Sequence, residues 1–160
     1  MPMAEFVVRQ ARPADGRAQA KLFAAVAAER DGIATEPPVD IDKRAALFAR
    51  GADASIVAVA DGRIIGDIHV EASRHGFGEF GMLVARDWRG RGVGTALVRA
   101  AIELARSQGL HKLCLEVFPH NAAGVALYAK CGFVEEGRRI KQYRRANGEL
   151  WDSIVMGLLL

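Results

Sequence analysis

Residues 80–97, reading Phe-Gly-Met-Leu-Val-Ala-Arg-Asp-Trp-Arg-Gly-Arg-Gly-Val-Gly-Thr-Ala-Leu, constrain the fold of this chain more than any other stretch. Residues 80–84 are a short apolar run of the kind that forms a buried strand. After the polar break at 85–88, Arg89-Gly90-Arg91-Gly92-Val93-Gly94 leads straight into a helical pattern. There Val93, Ala96, Leu97, Ala100, Ala101, Leu104 and Ala105 share one face. Gly109 supplies the stop, and residues 112–117 read as the next buried strand. A strand–helix–strand unit with such a crossover implies parallel pairing. The turn is also suited to an anion. The first N–H groups of a helix lack intrahelical partners, the helix dipole adds positive charge, and glycines admit a phosphate to the backbone.

The flanking sequence fits a mixed sheet around that junction. An edge strand over residues 5–12 stops at Pro13, and Asp15 is placed to cap a helix over 16–30 with Leu22, Phe23 and Val26 buried. Thr35-Glu36-Pro37-Pro38 is a loop. Asp40 caps a short helix over 41–50, with Leu47 and Phe48 as its core residues and Gly51 as its stop. Strands over 55–60 and 63–71 flank the hairpin signal Asp61-Gly62. Alternation sets Ile64, Gly66, Ile68 and Val70 on one face and Ile65, Asp67, His69 and Glu71 on the other. Asn121 caps a helix to Lys130, and a hairpin of residues 133–145 and 149–160 turns at Asn147-Gly148. The expectation is a single domain over 1–160, an α/β (α+β) fold with about seven strands and about four helices.

Two familiar phosphate motifs fail here. No Lys-Ser or Lys-Thr follows a glycine at Walker spacing. A dinucleotide fingerprint counted from Gly90 or Gly92 would need a small glycine-like residue at Thr95 or Leu97. Arg89-x-x-Gly92-x-Gly94 remains, although a glycine-rich turn before a helix can also be purely structural. The pattern resembles the GNAT superfamily of N-acetyltransferases, in which this turn holds the pyrophosphate of acetyl-coenzyme A. The run Leu113-Cys114-Leu115-Glu116-Val117, then Asn121 to Tyr128, then Gly132-Phe133, is similar to the second motif of that family. Read alone, Asn121 is a good N-cap and Tyr128 a half-buried aromatic, seven residues apart on one helical face. The C-terminal features Glu136-Gly137, Tyr143, Gly148-Glu149 and Asp152, with the Thr35–Pro38 loop, are similar to bacterial members that acylate free amino acids, the phosphinothricin acetyltransferases among them.

The resemblance implies a GNAT fold splayed at its parallel junction, with acetyl-coenzyme A as cosubstrate and direct attack by an amine in a ternary complex. It implies cofactor contacts from Arg89, Gly90, Arg91, Gly92, Val93, Gly94 and Thr95, from Asn121 near the pantetheine arm, and from the Leu83 and Val84 N–H groups at the carbonyl. Tyr128 would protonate the departing thiolate. Glu79 is a candidate base, directly or through water, and otherwise an ordinary strand carboxylate. His120 is the rival base, and Asp67 with His69 could line the pocket or simply sit on a polar face. Arg86 and Arg91 could assist the phosphates. Arg138, Arg139 and Lys141 beside Tyr143 could meet a substrate carboxylate, or be a solvated basic strand. The acceptor is expected to be a small amine such as a free amino acid. The alternatives are a protein N-terminus or lysine, or a non-catalytic coenzyme A module.

Composition excludes other classes. A net charge of +3 is too small to point to nucleic acid, and no apolar run reaches the ~20 residues of a membrane span. The N-terminus lacks a signal-peptide core. Cys114 and Cys131 cannot form a disulfide framework, which suggests a reducing compartment and a cytoplasmic protein. His69, His75, His111 and His120 show no ligand spacing, so no metal is expected. An exposed C-terminal strand could pair across a homodimer.

Overall fold

A computed structural model describes residues 5–160. Its strands are β1 Val7–Gln10, β2 Ser55–Ala60, β3 Arg63–Ala72, β4 Phe77–Val84, β5 Lys112–Val117, β6 Val134–Arg144 and β7 Leu150–Leu159. Its helices are α1 Gly16–Ala28, α2 Ile41–Arg50, α3 Val93–Ser107 and α4 Ala122–Lys130. The strands form one sheet in the order β1-β2-β3-β4-β5-β7-β6. All neighbours are antiparallel except β4 and β5, the pair that the crossover through α3 requires.

That parallel ladder has three rungs: Phe77 opposite Lys112, Gly78 opposite Leu113 and Glu79 opposite Cys114. Residues 80–84 of β4 and 115–117 of β5 run on without pairing to each other, so the sheet opens as a V. Both strands keep their outer partners, β3 and β7, throughout this stretch. The opening therefore lies inside one continuous sheet and not at its edge.

The two-residue alternation of β3 decides what covers each face. A Cβ on Gly66 would stand 2.9 Å from Leu97 Cδ1 and 3.0 Å from Val93 Cγ1, which shows α3 pressed against that face. Asp67, on the opposite face, bonds Gln19 of α1. Leu97, Val98 and Val93 are buried in the first half of α3, each contributing roughly 1.5–3 kcal/mol through burial. This apolar stripe places the N-terminus of α3 beside the mouth of the V.

Some local expectations change. Asp15 does not cap α1: its carboxylate pairs with Arg9 and accepts from the Arg12 N–H at 2.7 Å, closing a 3₁₀ turn at Pro13–Asp15. α1 ends at Ala28, and Arg30 adopts a positive φ of 57°. Asp40 does cap α2, accepting from the Lys43 N–H at 3.1 Å. Leu47, however, is 43% exposed and α2 has no fully buried residue, because α2 roofs a cavity and does not lie on the sheet. Cys114 and Cys131 are half-buried. Among the described residues no helix is long and apolar enough to cross a membrane.

Candidate active site

Two cavities meet in the V. One, of about 390 Å³, lies between a floor of sheet residues and a roof formed by α1, α2 and the loop between them. The other, of about 440 Å³, runs from the V to the glycine-rich turn between the end of α1 and the start of α4. Both are lined by Gly32, Ile33, Met82, Leu83, Asn121 and Tyr128. These sizes suit small molecules and cofactor arms.

The turn explains its own glycines. Gly90 and Gly92 have φ of 73° and 86°, a region that L side chains rarely adopt, and open space lies around both. Gly94 is constrained by proximity instead: a Cβ there would stand 2.7 Å from Leu127 Cδ1 and 3.3 Å from Met82 Cε. Arg89, Gly90 and Gly94 line the second cavity, whereas Arg91, Gly92, Val93 and Thr95 do not. Val93 packs into the core, and the Arg91 guanidinium sits 5.0 Å from the Trp88 ring centroid. Arg89 is already engaged. Its Nε donates to the Val84 carbonyl at 3.0 Å, and its terminal N–H groups grip Glu29 at 2.7 and 2.8 Å. Those hydrogen bonds hold the Glu29 carboxyl below the usual range.

The backbone of β4 assigns amides to the opening. The Ala85 N–H donates to the Ile65 carbonyl at 2.8 Å, and the unbroken register puts Leu83 opposite Asp67 in the same bonded set. Alternation then turns the N–H groups of Met82 and Val84 toward the V. The Arg89 contact agrees, since it reaches the Val84 carbonyl from that side. The Leu83 N–H therefore faces β3, and of the pair Leu83 and Val84 only Val84 presents its amide to the opening.

Tyr128 and Asn121 stand at the junction of the cavities. Asn121 caps α4, its Oδ1 accepting from the Gly124 N–H at 3.0 Å. Tyr128 is buried against Phe80 and Phe133, with ring centroids 5.8 and 6.1 Å away. Burial pushes its hydroxyl up to about 12, so it stays protonated at neutral pH.

Asp67, His69 and Glu116 form the polar floor of the first cavity. Asp67 is 2% exposed, and burial raises its carboxyl to about 7, opposed by the hydrogen bond from Gln19. His69 Nδ1 lies 2.9 Å from Ser55 Oγ. Glu116 accepts from Ser153 Oγ at 2.6 Å and Tyr143 Oη at 3.0 Å. Glu79 is exposed and lines neither cavity, although it shares a β4 face with Gly81, which does line the first. His120 borders the second cavity, where its Nε2 lies 2.8 Å from the Asp31 carbonyl. Arg138, Arg139 and Lys141 are exposed and line neither cavity; Arg138 pairs with Glu135, and Arg139 lies 3.7 Å from Glu116. The sequence reading missed two arginines. Arg44 faces the first cavity from α2. Arg145, 4% exposed, donates to the carbonyls of Ala34 at 2.9 Å and of Arg30 and Ile33 at 3.3 Å.

A V-shaped opening beside a parallel junction, with a glycine-rich helix start at one end and a cavity with a polar floor at the other, defines an acyltransferase architecture. Residues 21–133 match the acetyltransferase (GNAT) family, and the chain belongs to it as an N-acetyltransferase. The chain is 31% identical over 159 residues to the L-amino acid N-acetyltransferase AaaT of Escherichia coli K12, covering 96% of this chain and 98% of that one. It is 32% identical over 137 residues to an L-methionine sulfoximine/L-methionine sulfone acetyltransferase of Pseudomonas paraeruginosa, covering 80% and 79%. A phosphinothricin acetyltransferase from Sinorhizobium meliloti, solved with acetyl-coenzyme A, has the same fold, with a TM-score of 0.86 at 20% identity and coverage of 97% and 88%.

Proposed function

We propose that the protein transfers the acetyl group of acetyl-coenzyme A to the primary amine of a small molecule, a free amino acid or analogue, by direct attack in a ternary complex. The observation that carries this reading is the meeting of two cavities, both lined by Met82, Asn121 and Tyr128. The relatives named for amino-acid substrates support the acceptor class.

The residues fit the cosubstrate. The turn at 89–95 would take the pyrophosphate on the unpaired N–H groups of the α3 start, with Arg89 beside it, its charge offset by Glu29. The pantetheine arm would follow the V past Asn121. The thioester oxygen gains negative charge under attack, and the Val84 N–H, with that of Met82, would stabilise it. Tyr128 holds its proton until the thiolate departs and then donates it. The incoming ammonium would meet Glu116, with the buried and only partly ionised Asp67 beside it. Glu79, next along that face, would take the amine proton through water, with His120 as the rival on the other side. The C-terminal strand β7 is paired on both sides, by β5 and β6, so it has no free edge for a partner; a homodimer would pair through the edge strand β6 instead.

Acetyl transfer measured by thiol release tests the reading, using free amino acids, simple amines and short peptides. The expectation is turnover concentrated on free amino acids. Preferential turnover of peptides would assign a protein acceptor, and no turnover of any amine would assign a binding module. Glu79→Gln should shift the acid limb of the rate profile without changing coenzyme A affinity; an unaltered profile removes Glu79 from the proton path.

A further inference from the structure

The acceptor cavity contains a cation without an anionic partner. Arg44 lies one turn into α2, with its backbone N–H on the Asp40 carbonyl at 3.0 Å. Its guanidinium carbon sits 4.0 Å from the Phe23 ring centroid, and the side chain lines the cavity from the roof. The other arginines around the site are occupied: Arg89 by Glu29, Arg139 by Glu116, and Arg145 by three backbone carbonyls and Glu36. Among the described residues Arg44 has neither an ion pair nor a side-chain hydrogen bond.

The walls are therefore of opposite sign. The floor carries the Glu116 carboxylate, with the buried Asp67 beside it, and the roof carries Arg44. An arginine lying over a ring keeps its N–H edge free, and that edge matches a carboxylate in two parallel hydrogen bonds. A zwitterion fits such a space: the amine turns to the floor and the V, and the carboxylate turns to the roof. Phe48 and Phe80 supply apolar surface for a side chain.

We propose that Arg44 binds the α-carboxylate of a free amino-acid acceptor and so selects free amino acids over amides and peptides. This rests on the acceptor class proposed above. Arg138, Arg139 and Lys141 lie outside the cavity and do not serve this purpose.

The test compares wild type, Arg44→Met and Arg44→Lys on L-leucine, L-methionine and L-phenylalanine and on their α-amides, with acetyl-coenzyme A fixed. Wild type should prefer the free acids. Arg44→Met should lose about 10–100-fold in kcat/KM on the acids, mainly through KM, as expected for a lost charged hydrogen-bond pair. On the amides it should stay within about twofold of wild type. Arg44→Lys should recover only part of the loss, because an ammonium lacks the paired edge. Equal losses on acids and amides, or a wild type indifferent to the α-carboxylate, would overturn the role of Arg44 while leaving amino-acid acetylation standing. Failure of wild type on every acid and amide would overturn the acceptor class, and this role with it. Unchanged coenzyme A affinity by calorimetry shows that the variants remain folded.

Discussion

Asp67 sits under α1 with its carboxyl raised to about 7 by burial. The raised value gives a definite sign. Between pH 4 and 7, roughly, the folded protein binds the proton that the unfolded chain has released, so stability falls as pH rises through that window. The loss is on the order of 4 kcal/mol for a shift of this size. Asp67→Asn should flatten the dependence: denaturant melts at pH 5 and pH 8 should differ less than in wild type. Tyr128→Phe keeps the ring contacts with Phe80 and Phe133 but removes the hydroxyl. Turnover should fall by ~10²–10⁴-fold with little change in coenzyme A affinity; stopped-flow and calorimetry on the same preparation check both. At this scale the sequence was most legible where backbone geometry dictates the residue, as at Gly90 and Gly92. It was least legible where a side chain meets a distant element. Nothing local to Arg44 or Arg145 says that one reaches Phe23 or that the other reaches the loop more than a hundred positions away.

Among the elements, α3 and the strands around it follow from periodicity because their apolar faces meet the sheet directly. The bounds and cap of α2 follow as well, but its buried face does not, because Arg44 and Phe48 border a cavity, and hydrophobic spacing cannot tell a packed surface from a roof. That leaves Leu47 exposed and brings Arg44 to the site. The α1–α2 loop is fastened from the far end of the chain. Arg145 holds three of its carbonyls, and Glu36 accepts from the Ala146 N–H at 2.7 Å. Arg145→Met should cost about 2–4 kcal/mol by removing its three hydrogen bonds to the loop carbonyls. It should speed hydrogen exchange over residues 30–36 and raise KM for the acceptor more than for the cosubstrate. Gly94→Val must displace both Leu127 and Met82. Coenzyme A binding should weaken while the far-ultraviolet spectrum stays native.

For the whole molecule, the meander, the C-terminal hairpin and the single parallel junction were readable from the chain, because one crossover helix permits only that pairing; the insertion of β7 between β5 and β6 was not. The depth of the cavities was not, since it depends on where β4 and β5 cease to pair. A cosubstrate that binds only the folded chain should raise its stability by ~2.7 kcal/mol at 100 times Kd. For a domain near this size that is a rise in Tm of roughly 5–10 °C, read by scanning calorimetry with and without coenzyme A. Turn variants with reduced affinity should show a smaller rise at the same concentration.

The three-rung ladder between β4 and β5 also has a mechanical meaning. The sheet is two plates, β1 to β4 and β5 to β7, sewn by a short seam at one end and parted at the other. A cofactor arm laid in the gap acts as a removable lining stitched to both edges. Pulled apart across the seam, the empty protein should yield at low force by peeling from Glu79 toward Phe77. The loaded protein should resist until the lining tears out, so that tensile strength reports occupancy.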